Sequence, residues 1–578
     1  MFIYHSAGFI GSYCRAYTSL PAMDPPPRAV DPTDSEETIT ADLEPAAKGA
    51  QFWLVIFSIC LIGFTASLDG SIIAIAMPHI SQDLELGGLY VPASNCFVFA
   101  QTVVQPGLAQ LCDITGRRWP TIITIVLFAA GSAIAGAANG AGQMIAGRTI
   151  QGLGSGGIML LVELVVCDMV PLRERSKYLG IVLSTASLGA IAGPVVGGAL
   201  ADWNWRWCFY LTVPICGVVL PVMVVYLRIK HLPFQWKSVL VQVDWIGNFV
   251  FIAAATSLLI GITFGGNMYP WSSWRIIMPI VLGVVGLVAF YGYEYWIRDS
   301  NPCVPPRVFG NRTSVAAFYM NFAISILLPW VCFFWPIYFL AVRGKTLLHT
   351  GIDFMPFMFF LVPGAAVVGV ILAKTGRYRP LHAIGFALAI LGPGLTVLLR
   401  KDSNAGVWAM FQIISALGCG IITPTTLPAI LASLPESDVA SATGMYSFLR
   451  SFGYVWGITI PTILFKSRFD AVSYRISDPA VRETLSGGRS YEFASGSYVR
   501  DLPQPVKNEV LDVYLEALKI VWYGAMALAA TGLIAVLVEK HVPLRTNLET
   551  KFGLEEKKNN DKNQEASEKG TAGATTTQ

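Results

Sequence analysis

The stretch from Leu188 to Gly198, which reads LGAIAGPVVGG, decides the fold of this chain. It lies in an uncharged run over 178–201, which is long enough to cross a bilayer as one helix. Gly189, Gly193 and Gly197 recur every four residues, so they share one face of that helix. Glycines on one face let a neighbouring membrane helix approach closely. The stretch therefore predicts a tightly packed membrane helix.

Pro194 adds a second property to this helix. Its ring nitrogen donates no hydrogen bond, so the helix can bend at that point. We expect Pro194 and Gly198 to belong to the same packing and hinge surface as the three spaced glycines. The alternative is a glycine-rich packing face of the kind found in any membrane protein, and the rest of the sequence decides between the two.

The composition of the chain is that of an integral membrane protein. Of its 578 residues, 54% are hydrophobic and only 13% are charged, whereas soluble domains average about 25% charged residues. The ten cysteines are scattered singly, without the spacing of a metal site or a disulfide framework. We therefore expect an all-α integral membrane protein without a metal or a cofactor.

Fourteen apolar runs of spanning length follow one another along the chain. They lie near 53–78, 90–111, 119–138, 143–166, 178–201, 207–227, 245–264, 275–297, 314–342, 354–373, 381–399, 407–432, 440–465 and 516–538. The loops on the side of the N-terminus carry fourteen Lys and Arg residues up to the thirteenth run, against six on the other side. This bias predicts cytoplasmic N- and C-termini. The cell membrane is the expected location, with the vacuolar membrane as an alternative.

A short internal echo suggests two related halves. The segment 113–120, DITGRRWP, resembles 373–380, AKTGRYRP, and the two follow the second and the tenth apolar runs. Two six-helix bundles separated by two inserted helices would place both loops equivalently. Such repeats are typical of secondary transporters, whose substrate path lies between the halves.

This organisation predicts the domain boundaries. The polar ends of the chain should be disordered cytoplasmic tails. Residues 1–20 lack the features of a signal peptide. Translation is expected to begin at Met1 or at Met23. The predicted parts are an N-terminal tail at 1–50, a six-helix bundle at 51–230, two linking helices at 231–300, a second six-helix bundle at 301–545 and a C-terminal tail at 546–578.

Two motifs that suggest nucleotide binding do not hold in context. Residues 152–157 fit G-x-G-x-x-G, but they lie within an apolar run instead of after a strand. Gly344-Lys-Thr346 lacks the first glycine of a phosphate-binding loop, since Phe339 occupies that position. Neither an ATPase nor a dehydrogenase is indicated.

Asp69 and Arg148 are the strongest candidates for chemistry. Each lies inside an apolar run, where an isolated charge costs roughly 2.5–3.5 kcal/mol, so each needs a partner or a function. Counted along their spans, both fall at a comparable depth in the outer half of the bilayer. We predict that they pair and that protonation of Asp69 loosens the pair, which would couple transport to protons. The alternative is a structural ion pair that does not titrate.

The loop after the second span is a candidate gate. Asp113 is expected to face the N-terminal end of the thirteenth span, and Gly116 allows the sharp turn. Arg117 and Arg118 either take part in this gate or anchor the loop to anionic headgroups. The sequence leaves that choice open.

Arg450 lies near the middle of the thirteenth span, and the C-terminal half offers no spanning carboxylate at that depth. It either meets helix carbonyls, or faces the cavity and receives an anionic substrate group or an acid from the other half. Glu163 and Asp168 lie near the inner end of the fourth span, where access to water favours a structural role. Polar residues in other spans, and Arg450 itself, are weaker candidates for the substrate cavity: Gln151, Asn321, Ser325, Gln412 and Arg450.

Together these motifs resemble the major facilitator superfamily, in particular its fourteen-span drug:proton antiporters of fungal type. The likeness rests on 67–78 (SLDGSIIAIAMP), 113–118, 148–154 (RTIQGLG), 189–198 and 205–210 (WRWCFY). It extends over about 51 to 545. The loop motif of the superfamily opens with a glycine where this chain has Ala109.

The resemblance implies the major facilitator fold with fourteen helices arranged 6+2+6, and proton-coupled export of a small amphipathic toxin, metabolite or drug by alternating access. It implies a non-enzymatic monomer whose partners are its substrate, protons and the lipid bilayer, and no nucleic acid. An uptake permease, for example for iron chelates, and a transporter-like sensor are the alternatives.

Overall fold

In the computed structural model, the described residues are 49–86, 89–227, 242–266, 268–297, 302–345, 347–486, 490 and 498–545. The predicted tails at 1–50 and 546–578 lie almost wholly outside these residues. Where the chain is described, its named elements are all helical.

The described residues of the N-terminal half and the linking pair form ten helices. They are α1 (Ala50–Asp83), α2 (Tyr90–Val103), α3 (Gln105–Thr115), α4 (Arg118–Gly136), α5 (Ala141–Met169), α6 (Leu172–Asn204), α7 (Trp207–Tyr210), α8 (Thr212–Tyr226), α9 (Trp245–Phe264) and α10 (Trp274–Trp296). We call α1 to α8 the N-half and α9 with α10 the linking pair.

The C-half follows a short 3₁₀ turn at Pro306–Phe309. It consists of α11 (Arg312–Ile337, continued by a π-turn at Tyr338–Val342), α12 (Leu347–Asp353), α13 (Met355–Thr375), α14 (Tyr378–Thr396), α15 (Ala405–Ile422), α16 (Thr426–Ala432), α17 (Val439–Val472), α18 (Pro479–Leu485), α19 (Tyr498–Asp501) and α20 (Val506–Val538).

All fourteen predicted spans fall on helix, but three of them are interrupted. The span predicted at 207–227 breaks at Leu211, and the span predicted at 407–432 breaks between Ile422 and Thr426. The span predicted at 90–111 ends at Val103 and restarts at Gln105 as α3. Pro106 lies in the first turn of α3, where proline is tolerated because its missing N–H would be unpaired anyway. Eleven of the described helical stretches are long and apolar enough to cross a membrane, so the number of fourteen crossings stays a prediction.

The glycine stretch quoted above lies against the first helix. The helix α6 runs without interruption from Leu172 to Asn204 and packs along α1. A Cβ atom on Gly189 would lie 2.3 Å from the carbonyl oxygen of Phe64, and one on Gly197 would lie 3.0 Å from that of Ile72. The two backbones therefore approach at a distance that leaves no room for a side chain.

Within each half the helices pack on one another. The chain enters and leaves each half at the same face of the protein. Gln51 at the start of α1 donates to the carbonyl of Tyr226 at the end of α8. Beyond the end of α20, the carbonyl of Arg545 accepts from the backbone N–H of Arg173. We call the side at which α1 begins and α20 ends the tail face, and the opposite side the far face.

Candidate functional site

Asp69 and Arg148 form a buried ion pair inside the N-half. Asp69 comes from α1 and Arg148 from α5, and the guanidinium donates to Asp69 Oδ2 at 2.9 Å. Each side chain is only 1% exposed. The sequence predicted that these two residues meet because they lie at similar depth, and the structure brings them together.

Gln151 completes the cluster, one turn from Arg148 on the same helix. Its amide nitrogen donates to Asp69 Oδ1 and to Ser132 Oγ, both at 2.8 Å, and its oxygen accepts from Arg148 at 2.7 Å. Both carboxylate oxygens of Asp69 are therefore bonded. Arg148 also lies 4.2 Å above the ring of Phe97. Because a buried charge needs such partners, a proton on Asp69 would remove its attraction for Arg148.

A second ion pair joins the two halves. Arg450 on α17 pairs with Glu163 on α5, and the hydroxyl of Ser447 donates to Glu163 Oε2 at 2.5 Å. Glu163 is fully buried, and Arg450 is 7% exposed. Of the partners that the sequence allowed for Arg450, the structure shows the acid from the other half, which is Glu163.

This finding corrects the reading of Glu163. The sequence places it near the inner end of its span, and we expected it to be accessible to water. The structure buries it completely, since α17 covers that end of α5. The signal that could have found it was Arg450 itself, because a mid-span guanidinium requires a carboxylate and its long side chain reaches one several residues away in depth.

The loop after α3 forms a third cluster at the tail face. Arg117 is 2% exposed and donates to Asp168 Oδ2 at 2.7 Å and to Asp113 Oδ1 at 3.1 Å. Gly116 turns the chain with φ of 80°, in the left-handed region that favours glycine. In this conformation protein carboxylates hold Arg117, and its role in a gate stays a prediction. Arg118 donates to the carbonyl of Val224 at the end of α8.

Asp113 was expected to face the start of the thirteenth span, which is α17. The helix α3 does pack on α17, and Asp438 immediately before α17 helps to raise the Asp113 pKa. The bonded partner of Asp113 is nevertheless Arg117. Burial raises the pKa of the Asp113 carboxyl to about 6, against the opposing effect of Arg117. This carboxyl lies beyond the predicted span, at the end of α3.

Further contacts between the halves, among the residues that the structure describes, also lie between the tail face and the middle of the helices. Ser184 donates to the carbonyl of Val362 at 2.9 Å, and Gln105 donates to Ser451 at 3.2 Å. A Cβ atom on Gly369 of α13 would lie 2.4 Å from the carbonyl oxygen of Ser176 on α6. These contacts close the protein on its tail side.

The segment after α20 also lies across this closed side. The guanidinium of Arg545 donates to the carbonyls of Leu431 and Leu434 in the C-half at 3.3 and 2.7 Å. Its own carbonyl accepts from Arg173 of the N-half at 3.2 Å. Arg173 in turn donates to the carbonyls of Ala373 and Lys374 at 2.8 and 2.7 Å. The end of the described chain thus bridges both halves.

The weaker cavity candidates of the C-half are buried in this conformation. Asn321 donates to the carbonyl of Tyr446, Ser325 to that of Asn321, and Gln412 to that of Asp353. Each of these bonds lies within the C-half, the buried amide oxygen of Gln412 has no donor in the described part of the chain, and a role in the substrate cavity stays a prediction for all three. The predicted hinge role of Pro194 and Gly198 falls outside what the structure describes.

The comparison with known proteins agrees with this architecture. A model of the Major Facilitator Superfamily matches residues 59–241 and 246–458. The chain is 43% identical to the MFS efflux transporter aclA of Aspergillus oryzae, over 93% of this chain and 97% of that protein. It is 41% identical to the MFS-type efflux pump LUC4 of a Fusarium species, over 92% of this chain and 94% of that protein.

Among solved structures, the human organic anion transporter MFSD10 is similar with a TM-score of 0.53 and 13% identity. That likeness covers 84% of this chain and 100% of that chain, and it concerns the fold. The helical fold and the kind of protein expected from the sequence, a membrane transporter and not an enzyme, are confirmed. This chain belongs to the major facilitator superfamily.

Proposed function

We propose that this transporter exports a small amphipathic compound from the cytoplasm in exchange for protons, by alternating access between its halves. The observation that carries the proton coupling is the buried cluster of Asp69, Arg148, Gln151 and Ser132. Export is supported by the similar proteins, which are named efflux transporters and pumps, and by the positive bias that favours a cytoplasmic tail face.

Asp69 is the residue that binds the proton in this scheme. While it is ionised, Arg148 and Gln151 hold it inside the N-half. A proton entering from the far face neutralises it, and the pair with Arg148 weakens because one of its two charges is gone. The freed guanidinium then attracts other groups, and the balance between the two conformations of the transporter shifts.

The described conformation is closed on the tail side, so it is the one that would not admit substrate from the cytoplasm when the tail face is cytoplasmic. Export requires the opposite conformation as well, in which the contacts of α3, α5 and α6 with the C-half separate. Each ligand shifts the equilibrium by its difference in affinity for the two conformations. A proton bound at Asp69 in one conformation and released in the other drives the cycle.

The decisive experiment measures pH-driven export in liposomes that contain the purified protein. The fluorescent amphipathic compound N-dansyl-phenylalanine serves as the probe, and a pH gradient is imposed across the membrane. We expect Asp69→Asn to abolish the acceleration by the gradient. The matched control is Asp83→Asn, which makes the same change at the exposed end of the same helix. Full pH-driven transport by Asp69→Asn would refute the coupling.

A cellular measurement tests the direction of transport. Cells with and without the gene are loaded with the same dye, with and without a protonophore. Export predicts that cells lacking the gene accumulate more dye and that the protonophore removes the difference. Lower accumulation without the gene would indicate uptake instead, and equal accumulation for every compound tested would indicate a sensor.

A further inference from the structure

The pair of Arg450 and Glu163 holds two charges that belong to different moving parts. Glu163 lies on α5, which packs on α2 and α4 of the N-half. Arg450 lies on α17, which packs on α11 and α20 of the C-half. Any motion that opens the tail face therefore separates the guanidinium from the carboxylate. Each of them then needs a new partner, since an unpaired buried charge is strongly unfavourable.

The two groups differ in how they can respond. A carboxylate can take up a proton and become neutral, but a guanidinium keeps its charge at any physiological pH. Glu163 can therefore be satisfied by a proton alone. Arg450 requires an anion in the open conformation, and among the described residues Glu163 is the carboxylate that pairs with it.

Among the described residues, the surroundings of Arg450 offer polar and aromatic groups but no second acid. On its own helix, the ring of Tyr446 lies 5.4 Å from the guanidinium, and Tyr454 follows one turn later on the same face, 39% exposed. From α3, the amide of Gln105 bonds to Ser451, and its buried oxygen has no donor in the described part of the chain. The facing helix α5 contributes Glu163 and, one turn further, Met159.

We propose that Arg450 binds the anionic group of the exported compound when the tail face is open. The substrate class is then an amphipathic organic acid, with its carboxylate or a similar anion on the guanidinium and its apolar part along Tyr454 and Ile458 towards the far face. This inference rests on the proposed function. As the tail face closes, Glu163 regains Arg450 and displaces the acid, which favours release on the far side.

A binding experiment with two matched probes tests this directly. N-dansyl-phenylalanine carries a carboxylate, and its methyl ester is the same molecule without the charge. The full chain in lipid nanodiscs is titrated with each probe at pH 7, and dansyl fluorescence gives the affinity. Because hydrogen bonds between charged groups contribute about 1.5–3 kcal/mol, we expect the acid to bind at least about tenfold more tightly than the ester.

Variants of the pair assign the preference to its residues. Arg450→Gln should abolish the preference for the acid while leaving the affinity for the ester unchanged, which also shows that the variant is folded. Glu163→Gln should strengthen binding of the acid several-fold, since it removes the competing carboxylate. The matched control is Ser447→Ala, which touches Glu163 without a charge and should keep the preference.

The outcomes separate this inference from the proton coupling. Equal affinities for the two probes, failure of both to bind, or a preference that survives Arg450→Gln would overturn the inference. None of these results affects the coupling, which depends on Asp69. Conversely, a preference that requires Arg450 would stand even if Asp69→Asn retained pH-driven transport.

Discussion

Two arginine–carboxylate pairs each have one member on α5, and the two pairs differ in what surrounds them. Arg148 and Asp69 meet inside the N-half, where Gln151 and Ser132 bond to the same cluster. Glu163 of α5 instead meets Arg450 across the boundary between the halves. In the proposed transport cycle, the first pair stays within its half, whereas the second breaks when the tail side opens. Similar chemistry would then serve two different mechanical roles.

The largest expected effect is a difference in thermal stability between a variant of the first pair and a variant of the second. Arg148→Ala leaves Asp69 buried without its counter-ion in every conformation, which should lower the free energy of unfolding by about 3–5 kcal/mol. Arg450→Ala leaves Glu163 uncompensated only in the tail-closed conformation, so the protein can relieve the cost by opening. Thermal unfolding in detergent, followed by tryptophan fluorescence, should show a much larger loss for Arg148→Ala. Equal losses would mean that the halves do not separate at Glu163.

The two glycine contacts described above allow a second comparison. Gly189→Val drives a side chain into the Phe64 carbonyl within the N-half, and overpacking of this kind costs about 1–3 kcal/mol. Gly369→Val meets the Ser176 carbonyl of the other half, so the tail side can part instead. We expect reduced thermal stability for Gly189→Val and a longer distance between spin labels at positions 177 and 374 for Gly369→Val.

The matched control for both is Gly217→Val, because no heavy atom outside the local backbone of its own helix lies within 4 Å of a Cβ at that position. It should change neither the unfolding temperature nor the label distance. An unchanged label distance in Gly369→Val, with a loss of stability instead, would show that α6 and α13 stay together throughout the cycle.

Charge exchange gives a third, smaller contrast. Glu163→Arg combined with Arg450→Glu should restore much of the tail closure that either single change removes, because the partners simply trade places across one boundary. Asp69→Arg combined with Arg148→Asp should rescue little, since Gln151 and Phe97 are arranged around the guanidinium of Arg148. The same spin-label distance and the dye transport assay measure both. Equal rescue in the two pairs would contradict the difference in their surroundings.

The smallest effect concerns pH at the tail face. Burial raises the pKa of Asp113 to about 6, so its ionised form is disfavoured in the closed conformation. Lowering the pH through 6 protonates Asp113 and removes that penalty, and the closed conformation gains stability until the pH falls below the ordinary value near 4. The spin-label distance should shorten modestly between pH 7.5 and 5, and Asp113→Asn should abolish this step. A spin-label distance that lengthens as the pH falls from 7.5 to 5 would contradict this prediction.

The sequence predicts the helices and one of the pairs because both depend on local properties. Apolar run length sets the spans, and the depth of Asp69 and Arg148 along their runs places them together. The break at Val104 was missed, since a proline near the start of a helix looks the same in a sequence as one inside a long span.

Glu163 could not be assigned to Arg450 for a different reason. The two residues lie 287 positions apart and in different halves, and counting from the ends of their spans places them at different depths. The long side chain of Arg450 spans the difference in depth between the two residues. The direction in which it extends is set by the packing of α17 on α5, which the sequence does not give. Comparing depths along the spans therefore finds partners within a half more readily than partners in different halves.

The bridge made by Arg545 determines where this protein can be shortened or extended. A reporter domain joined after this residue leaves untouched the carbonyl that accepts from Arg173 and the guanidinium held by Leu431 and Leu434. A truncation a few residues earlier would remove this one bridge between the halves while leaving the described helices intact. The length of this end of the chain would then adjust the balance between the closed and the open tail side in the proposed cycle.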